Sequence, residues 1–472
     1  MPATATILAS ALVLCTGRAA LADRTLTLDD ALALARSYNR DLWMGRARLA
    51  EAEAGIGLAR AALMPTLSAS GRYTHNYKEV DLSVTEFSQP TLALANTIAA
   101  TAPALEAAAV QGYIQQTNAA LAEQAPFVIQ KEEQLDGNVN GNLPLIAPSA
   151  WYGYASAKSS ARSGEANYAV TEANVLLGVA QAYYAAAGTD ELVRARQDAV
   201  QVANDTYRVA KARVGSDLAN PVDVTRAESA LVRAQQDLIE AQNNRAIAYR
   251  SLATLIGTHA EPLHVAPGAE PARDPGTVAD LTPHALAVRP ELAAERAAAT
   301  AAHDTARADA WKWAPTLSAF GNGHIGNYIG FSGDRFSWAV GVELDWFLYD
   351  GGTRDAQRAI ANGQLDEAHA QLSLLHDTIS DEVANAHGEL DTRRKAVDAA
   401  TRARELATEA LRITRAQYEA GTASQLDLLE AQDSLVVADV GLARAHYDVS
   451  LADVELRRAA GLFPADTRGG SR

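Results

Sequence analysis

The chain has 472 residues, of which 21% are charged, 48% hydrophobic and only 6% aromatic, and its formal net charge is −16. This charged fraction is too high for a polytopic helical membrane protein. The acidic balance excludes nucleic acid as the main partner, because phosphate binding needs clustered Lys and Arg.

Residues 1–22 have the features of a secretory signal peptide. An apolar stretch runs from Ile7 to Leu14, and Ala20-Leu21-Ala22 fits an A-x-A cleavage site. The sole cysteine, Cys15, lies in this segment, so its lipidation stays open and the mature chain would carry no thiol for a disulfide. Beyond residue 22, no run of about 20 apolar residues predicts a transmembrane helix.

The rest of the chain is an internal repeat. Pro65-Thr66-Leu67-Ser68-Ala69-Ser70-Gly71 recurs at Pro315–Gly321 with six of seven positions identical. A second register, offset by 204 residues, aligns Asp223 with Asp427, Leu231 with Leu435 and Gly257 with Gly461. The offset between the copies falls from 250 to 204 residues because the first half carries an insertion at about 78–136. The middle of this insertion, Thr91 to Gln111, is Ala-rich and has the composition of a helix.

Each half predicts helix, strand, strand, long helix, turn and returning helix. The first repeat, 23–257, has strands at about 66–77 and 138–146, a long helix at about 150–214 and a returning helix at about 221–256. Residues 258–290 are a Pro-rich linker or equatorial region. The second repeat, 291–462, has strands at about 316–328 and 336–347, a long helix at about 353–420 and a returning helix at about 425–460, before a tail at 463–472.

The long helices are predicted from apolar spacings of three and four residues, which form the stripe of a helix packed in coiled-coil fashion. In the second half the stripe comprises Leu365, Ala368, Leu372, Leu375, Ile379, Val383, Ala386 and Leu390. At 1.5 Å per residue, a helix of this extent would be about 100 Å long.

The last strand of the second half has the pattern of a strand that crosses an outer membrane. Strict alternation over Phe336 to Trp346 matches the length and period of such strands. The predicted lipid-facing side chains are Phe336, Trp338, Val340, Val342, Leu344 and Trp346. Four strands cannot close a barrel, and open sheet edges are not tolerated in lipid, so closure requires several protomers.

Four segments, in this order, are together similar to the TolC family of outer-membrane efflux proteins. They are Leu26–Leu32, the two Pro-Thr-Leu-Ser strand entries, Leu344–Gly352 and Tyr418–Leu429. The resemblance implies a mixed α and β homotrimer with a shared twelve-stranded outer-membrane barrel and a long antiparallel α-helical periplasmic tunnel. It also implies a periplasmic adaptor, an inner-membrane transporter and outer-membrane lipid as partners, with a gate at the periplasmic helix tips.

The residues at the two helix turns have a structural explanation and a functional one. Ser424 with Asp427 forms a capping box, and Asn220-Pro221 places a cap and a first-turn proline. The resemblance adds that Asp427 and Glu430 would form acidic rings and that Asp223 and Tyr418 would link helices in the closed state. Arg226 would supply a different ionic latch. The expected adaptor-docking surface comprises Val214, Gly215, Gly421, Thr422, Ser424 and Leu428.

No catalytic, cofactor or metal motif stands out in the sequence. Gly321-Asn322-Gly323-His324-Ile325-Gly326 fits the dinucleotide pattern, but it lies inside a strand candidate and lacks the following helix that the pattern needs. We therefore expect a passive export channel and not an enzyme. The alternative is a periplasmic coiled-coil structural protein without a pore.

Overall fold

The computed structural model describes residues 25–82, 84–122, 127–217, 219–258, 264–266, 276–329 and 334–463. The predicted signal peptide, with Cys15, lies outside them. Within these ranges, no helix has the length and hydropathy needed to cross a bilayer. The chain divides into a helical unit (Met1–Ala54, Lys158–Ala302 and Gly363–Arg472) and a sheet unit (Gly55–Ala157 and His303–Asn362).

Strands and helices alternate along the chain. The strands are β1 (Thr25–Leu26), β2 (Thr66–His75), β3 (Val80–Leu82), β4 (Phe127–Gln130), β5 (Glu133–Ile146), β6 (His264–Val265), β7 (Thr316–Gly326) and β8 (Phe336–Asp345). The helices are α1 (Leu28–Tyr38), α2 (Arg40–Ala61), α3 (Val84–Thr101), α4 (Ala104–Ala122), α5 (Pro148–Gly215), α6 (Pro221–Leu255), α7 (Val278–Val288), α8 (Pro290–Ala310), α9 (Thr353–Glu419) and α10 (Gln425–Ala459).

The sheet unit is built on four antiparallel strands in the order β2-β5-β7-β8. β5 begins at Glu133, five residues before the predicted start. β8 ends at Asp345, which pairs with Thr316, so Trp346 lies just beyond the ladder and not in the strand as expected. The residue before Thr316 is Pro315, which has no amide hydrogen, so a further ladder bond cannot form there.

The insertion folds as a helical hairpin on a stalk made of the two short strands β3 and β4. Among the described strands, β3 and β4 pair with each other alone, and they continue the β2–β5 ladder. α3 and α4 follow as two helices that pack on each other, where the Ala-rich composition had indicated helix at Thr91 to Gln111. The break falls at Ala102-Pro103, since proline cannot continue the hydrogen-bond ladder of a helix.

The helical unit has two buried cores. One joins α1, β1 and β6 to the middle of α5 and the end of α6, around Leu176, Val179 and Leu252. The other joins α7 and α8 to α9 and α10, around Ile379, Val383 and Leu456. α7 lies inside the segment that was expected to be a linker, with Pro283 in its interior.

The two returning helices end in the same way. Gly257 and Gly461 both have a positive φ, of 71° and 72°. An added Cβ would come within 2.5 Å of the Tyr38 carbonyl oxygen at the first glycine and of Val288 at the second. Each position therefore requires glycine, both for its backbone conformation and for close packing.

Candidate functional site

The turn between α9 and α10 is closed by backbone and side-chain caps. Gly421 has φ 76°, and the Thr422 amide donates to the Gln417 carbonyl oxygen at 2.9 Å. The Asp427 amide donates to Ser424 Oγ at 3.2 Å, and the Ser424 amide donates to Asp427 Oδ2 at 2.8 Å. This reciprocal pair is the predicted capping box.

The capping contacts also fix the charge of Asp427. The Ser424 hydroxyl and the Ser424 amide both donate to the Asp427 carboxylate. These hydrogen bonds, the one from the hydroxyl first in size, hold the pKa of Asp427 below its usual value. Asp427 and Glu430 are both exposed and lie one turn apart on α10. The turn thus presents two carboxylates to solvent, of which Asp427 stays ionised into the acidic range.

The turn between α5 and α6 has the predicted helix cap. Asn220 Oδ1 accepts from the Val222 amide at 3.0 Å. Asp217 has a positive φ of 56°, and Gly215 is the last residue of α5. Arg226 lies 3.7 Å from the Asp223 carboxylate and forms an intrahelical ion pair with it, while the ionic latch stays a prediction.

A contact that the sequence did not reveal joins α5 to α9. Arg213 Nη1 donates to the Tyr418 carbonyl oxygen at 2.9 Å, and its guanidinium lies 4.5 Å from the centre of the Tyr418 ring. Tyr418 is buried, and its hydroxyl has no hydrogen-bond partner among the described residues. Arg213 therefore binds the end of α9 through both a hydrogen bond and a cation–π contact.

The residues expected to dock an adaptor divide by exposure. Gly215, Gly421, Thr422 and Ser424 are exposed, and Val214 is half-buried. Leu428 is buried within the chain and adds nothing to an exposed surface, because it lies on the face of α10 that packs inward with Gln425. Among the described residues of the two turns, Val222 and Leu426 are exposed apolar side chains.

One face of the four-stranded sheet is apolar and open. Residues of β8 alternate between the two faces, and five of the six predicted lipid-facing residues share one of them. These are Phe336, Trp338, Val340, Val342 and Leu344, each 58–71% exposed. The register puts exposed side chains of the other strands on the same face, namely Leu67, Tyr73, Leu135, Val139, Leu143 and Ile325. A sheet rarely leaves such a face in water.

The opposite face of the sheet is polar. Asn140 of β5 stands between Ser68 of β2 and Asn322 of β7. Nearer the stalk, His324 Nε2 lies 3.0 Å from Asp136 Oδ1. Among the described residues no group of three or more His, Cys, Asp or Glu side chains could hold a metal ion. The described part of this face is thus hydrophilic.

The chain matches one protein-family model, described as outer membrane efflux protein, over residues 130–258 and 281–462. It is 26% identical to outer membrane protein TolC of Vibrio cholerae over 350 residues, which cover 72% of this chain and 78% of that protein. It is 25% identical to outer membrane efflux protein BepC of Brucella suis over 300 residues, or 63% of this chain and 65% of that relative.

Solved structures share the fold. The outer membrane protein VceC from Vibrio cholerae superposes with a TM-score of 0.71 at 20% identity, over 92% of this chain and 96% of that one. The Campylobacter jejuni CmeC outer membrane channel gives a TM-score of 0.72 at 17% identity, over 92% and 85%. At these identities the likeness establishes the fold, which is mostly helical with a smaller sheet.

Proposed function

Because the chain belongs to the outer membrane efflux protein family, which consists of non-enzymatic channels, we propose that it is a channel subunit of a tripartite efflux or secretion system. It conducts substrates passively from a periplasmic adaptor and an inner-membrane transporter to the outside. Its place is the outer membrane, with a large periplasmic portion. The observation that carries the proposal is the exposed apolar face of β8 opposite a polar face. In the alternative, a coiled-coil structural protein without a pore, this sheet would have no role.

The channel is a homotrimer in this proposal. β2 and β8 each lack a partner on one side among the described strands. An unpaired edge inside a bilayer costs several kcal/mol for each unsatisfied group, so sheets of neighbouring copies must pair. Three copies give the twelve-stranded barrel. The matched glycines at 257 and 461 support an internal repeat, in which each protomer supplies two similar hairpins to the helical tunnel.

Conductance tests this function directly. Purified protein added to a planar bilayer should open discrete, long-lived ionic channels, because three polar sheet faces enclose water. Protein with Val340→Arg, which places a charge on the lipid-facing side, should open none at the same concentration. If the unaltered protein does not conduct at any applied voltage, the proposed channel function is wrong.

The gate lies at the two helix turns, and its selectivity comes from Asp427 and Glu430. In a trimer these residues form acidic rings that favour cations. Asp427→Asn should lower the cation-to-anion permeability ratio about fivefold, since a charge some 4 Å from an ion is worth about 1 kcal/mol in water. Asp366→Asn, which removes an exposed acid from the side of α9, is the matched control. The proposed ring is wrong if both variants give the same reversal potential.

This selectivity should persist in acid. The folded-state pKa of Asp427 is lowered, so its carboxylate stays charged below the ordinary aspartate value of about 3.9. The contribution of Asp427 to the permeability ratio should therefore be complete at pH 5 and fade only in still more acidic solution. A loss of selectivity centred well above pH 4 would assign it to another group.

Arg213 is proposed to hold the gate closed through Tyr418. The cation–π contact and the hydrogen bond together are worth about 2 kcal/mol. Arg213→Ala should thus raise the open fraction at rest roughly tenfold or more, seen as larger basal conductance. Arg208→Ala removes an exposed arginine from the same helix, which pairs with Asp205 at 3.6 Å, and should leave conductance unchanged. Equal conductance in the two variants would remove Arg213 from the gate.

The adaptor is proposed to dock on the exposed residues of the two turns. Gly215, Gly421, Thr422 and Ser424 offer little side-chain bulk, so a partner helix can come close to the backbone. Val222 and Leu426 supply apolar anchors beside them. Asp223 and Arg226 pair with each other near the start of α6, beside these exposed residues.

A further inference from the structure

The helical hairpin of α3 and α4 has no role in the function proposed so far. It stands on the ribbon of β3 and β4, which extends the β2–β5 ladder through hydrogen bonds from Asn76 to the carbonyl oxygens of Lys131 and Glu132, at 2.7 and 2.8 Å. The hairpin is thus tied to the edge of the sheet where β2 ends and β5 begins. β2 is one of the two sheet edges that need a neighbouring copy.

The hairpin buries one stripe of each helix and leaves another uncovered. α3 and α4 pack on each other, and Leu92 of α3 and Ile114 of α4 are buried. Leu94, 62% exposed, is two residues from Leu92 and so about 200° around the helix. Gly112 has the same relation to Ile114. Further exposed apolar residues are Ile98, Leu105 and Tyr113. The outer flanks of the hairpin therefore carry these apolar residues and Gly112 among uncharged polar side chains, such as the exposed Gln115 and Gln116.

Charge limits what can cover these flanks. Residues 84–122 contain no Lys or Arg, and their only acids are Glu86 and Glu106. A helix that lies on a lipid surface normally carries cationic residues on its polar face to meet anionic headgroups. This hairpin has none. Nearly uncharged flanks instead suit contact between identical copies, because like-charge repulsion between them is small.

We propose that the uncovered flanks pack on the same hairpin of the neighbouring protomers, so that three hairpins form a collar around the outer mouth. The inference rests on the proposed trimer. Strands about 4.8 Å apart and tilted about 40° give a twelve-stranded barrel about 75 Å in circumference, which sets equivalent ribbons about 21 Å apart. Two packed helices are about 18–20 Å wide. One hairpin therefore fills the gap between two ribbons.

The collar predicts which positions meet. α3 of one protomer faces α4 of the next, and Leu94 and Gly112 lie at nearly equal distances from the break at Ala102-Pro103. The chain has one cysteine, Cys15, and a Cβ at Gly112 meets nothing within 4 Å. The double variant Leu94→Cys/Gly112→Cys, treated in its detergent-purified trimeric form with a short bis-maleimide, should give covalent dimers and trimers. Within one hairpin the two positions are on opposite flanks, too far apart for a short linker.

The single variants Leu94→Cys and Gly112→Cys are the matched controls, with the unaltered chain as the control for Cys15. Each single variant should stay monomeric in denaturing gels, because the contact joins two different positions. Covalent oligomers in the single variants would overturn the side-by-side contact. Absence of links in a double variant that is trimeric by native mass would overturn the collar and leave the channel proposal standing. An unaltered chain that is monomeric by native mass would overturn both.

Replacement of residues 83–126 by Asn-Gly gives a second measurement, since the dipeptide forms a tight turn between the paired Leu82 and Phe127. The trimer should still assemble, because sheet pairing closes the barrel. Its midpoint for dissociation by heat should fall, because three hairpin contacts are lost. An unchanged midpoint would show that the hairpins do not hold one another and would overturn the collar.

Discussion

Val340→Arg should remove the protein from the outer membrane. Val340 lies near the middle of β8 on the exposed apolar face, 71% exposed, and pairs with Gly321 of β7. An arginine at the bilayer midplane of a barrel costs about 2–4 kcal/mol, and a trimer carries it three times, or about 6–12 kcal/mol in all. That loss approaches the whole stability of an ordinary folded protein. Heat-modifiable trimer in the outer-membrane fraction is the quantity to measure.

The adjacent residue provides the control. Ala339 is on the polar face of the same strand, opposite Asn322, where an added arginine would project into water. Ala339→Arg should therefore give near-normal amounts of trimer. Similar losses from both substitutions, or from neither, would mean that the two faces of the sheet do not meet lipid and water as proposed.

Glu291→Gln should give the second large effect, on the core of the helical unit. Arg289, only 5% exposed, donates to Glu291 at 3.3 Å and also to Glu382, while Arg458 donates to Glu291 from α10. In Glu291→Gln, Arg289 keeps Glu382, but the Arg458 guanidinium, 11% exposed, loses this carboxylate, and removing one partner of a buried ion pair costs about 3–5 kcal/mol. Glu389→Gln, which breaks an exposed pair with Arg393, should cost less than about 1 kcal/mol. The free energy of unfolding in urea separates the two variants.

The loss of stability caused by Glu291→Gln should depend on pH. Burial raises the pKa of Glu291, but the hydrogen bond from Arg289 and the charge of Arg458 outweigh burial, so its net pKa lies below the ordinary value. A lowered folded-state pKa means that the stabilisation is complete above the unfolded value, about 4.3, and is lost as the pH falls through the folded value. The difference between the unaltered chain and Glu291→Gln should thus be constant from pH 7 to 5 and shrink in stronger acid. A difference that grows in acid would contradict this assignment.

Periodicity was informative wherever one physical rule dominated. The apolar stripe around Ile379 and Val383 corresponds to α9 because a long packed helix needs that spacing. The alternation after Phe336 corresponds to β8 because a strand exposes two faces of different polarity. Capping residues such as Asn220 and Ser424 marked helix starts, since few residue types can satisfy the free amides there.

Other features were hidden because they depend on residues far apart in sequence. The start of β5 at Glu133–Gly137 is mostly polar and Gly-containing, so its pairing with β2 and β7 makes it a strand. α7 contains Pro283, which argues locally against a helix. The contact of Arg213 with Tyr418 joins residues that are 205 positions apart in the sequence. Leu428 has the same local pattern as exposed Leu426, and only the neighbouring helices decide which of them is buried.

The most direct test of a trimeric outer-membrane channel is the mass of the protein extracted from separated cell membranes. After separation of inner membrane, outer membrane and soluble periplasm, the protein should be found in the outer membrane, and its native mass in mild detergent should correspond to three chains. Recovery from the soluble periplasm as a single chain would contradict the account.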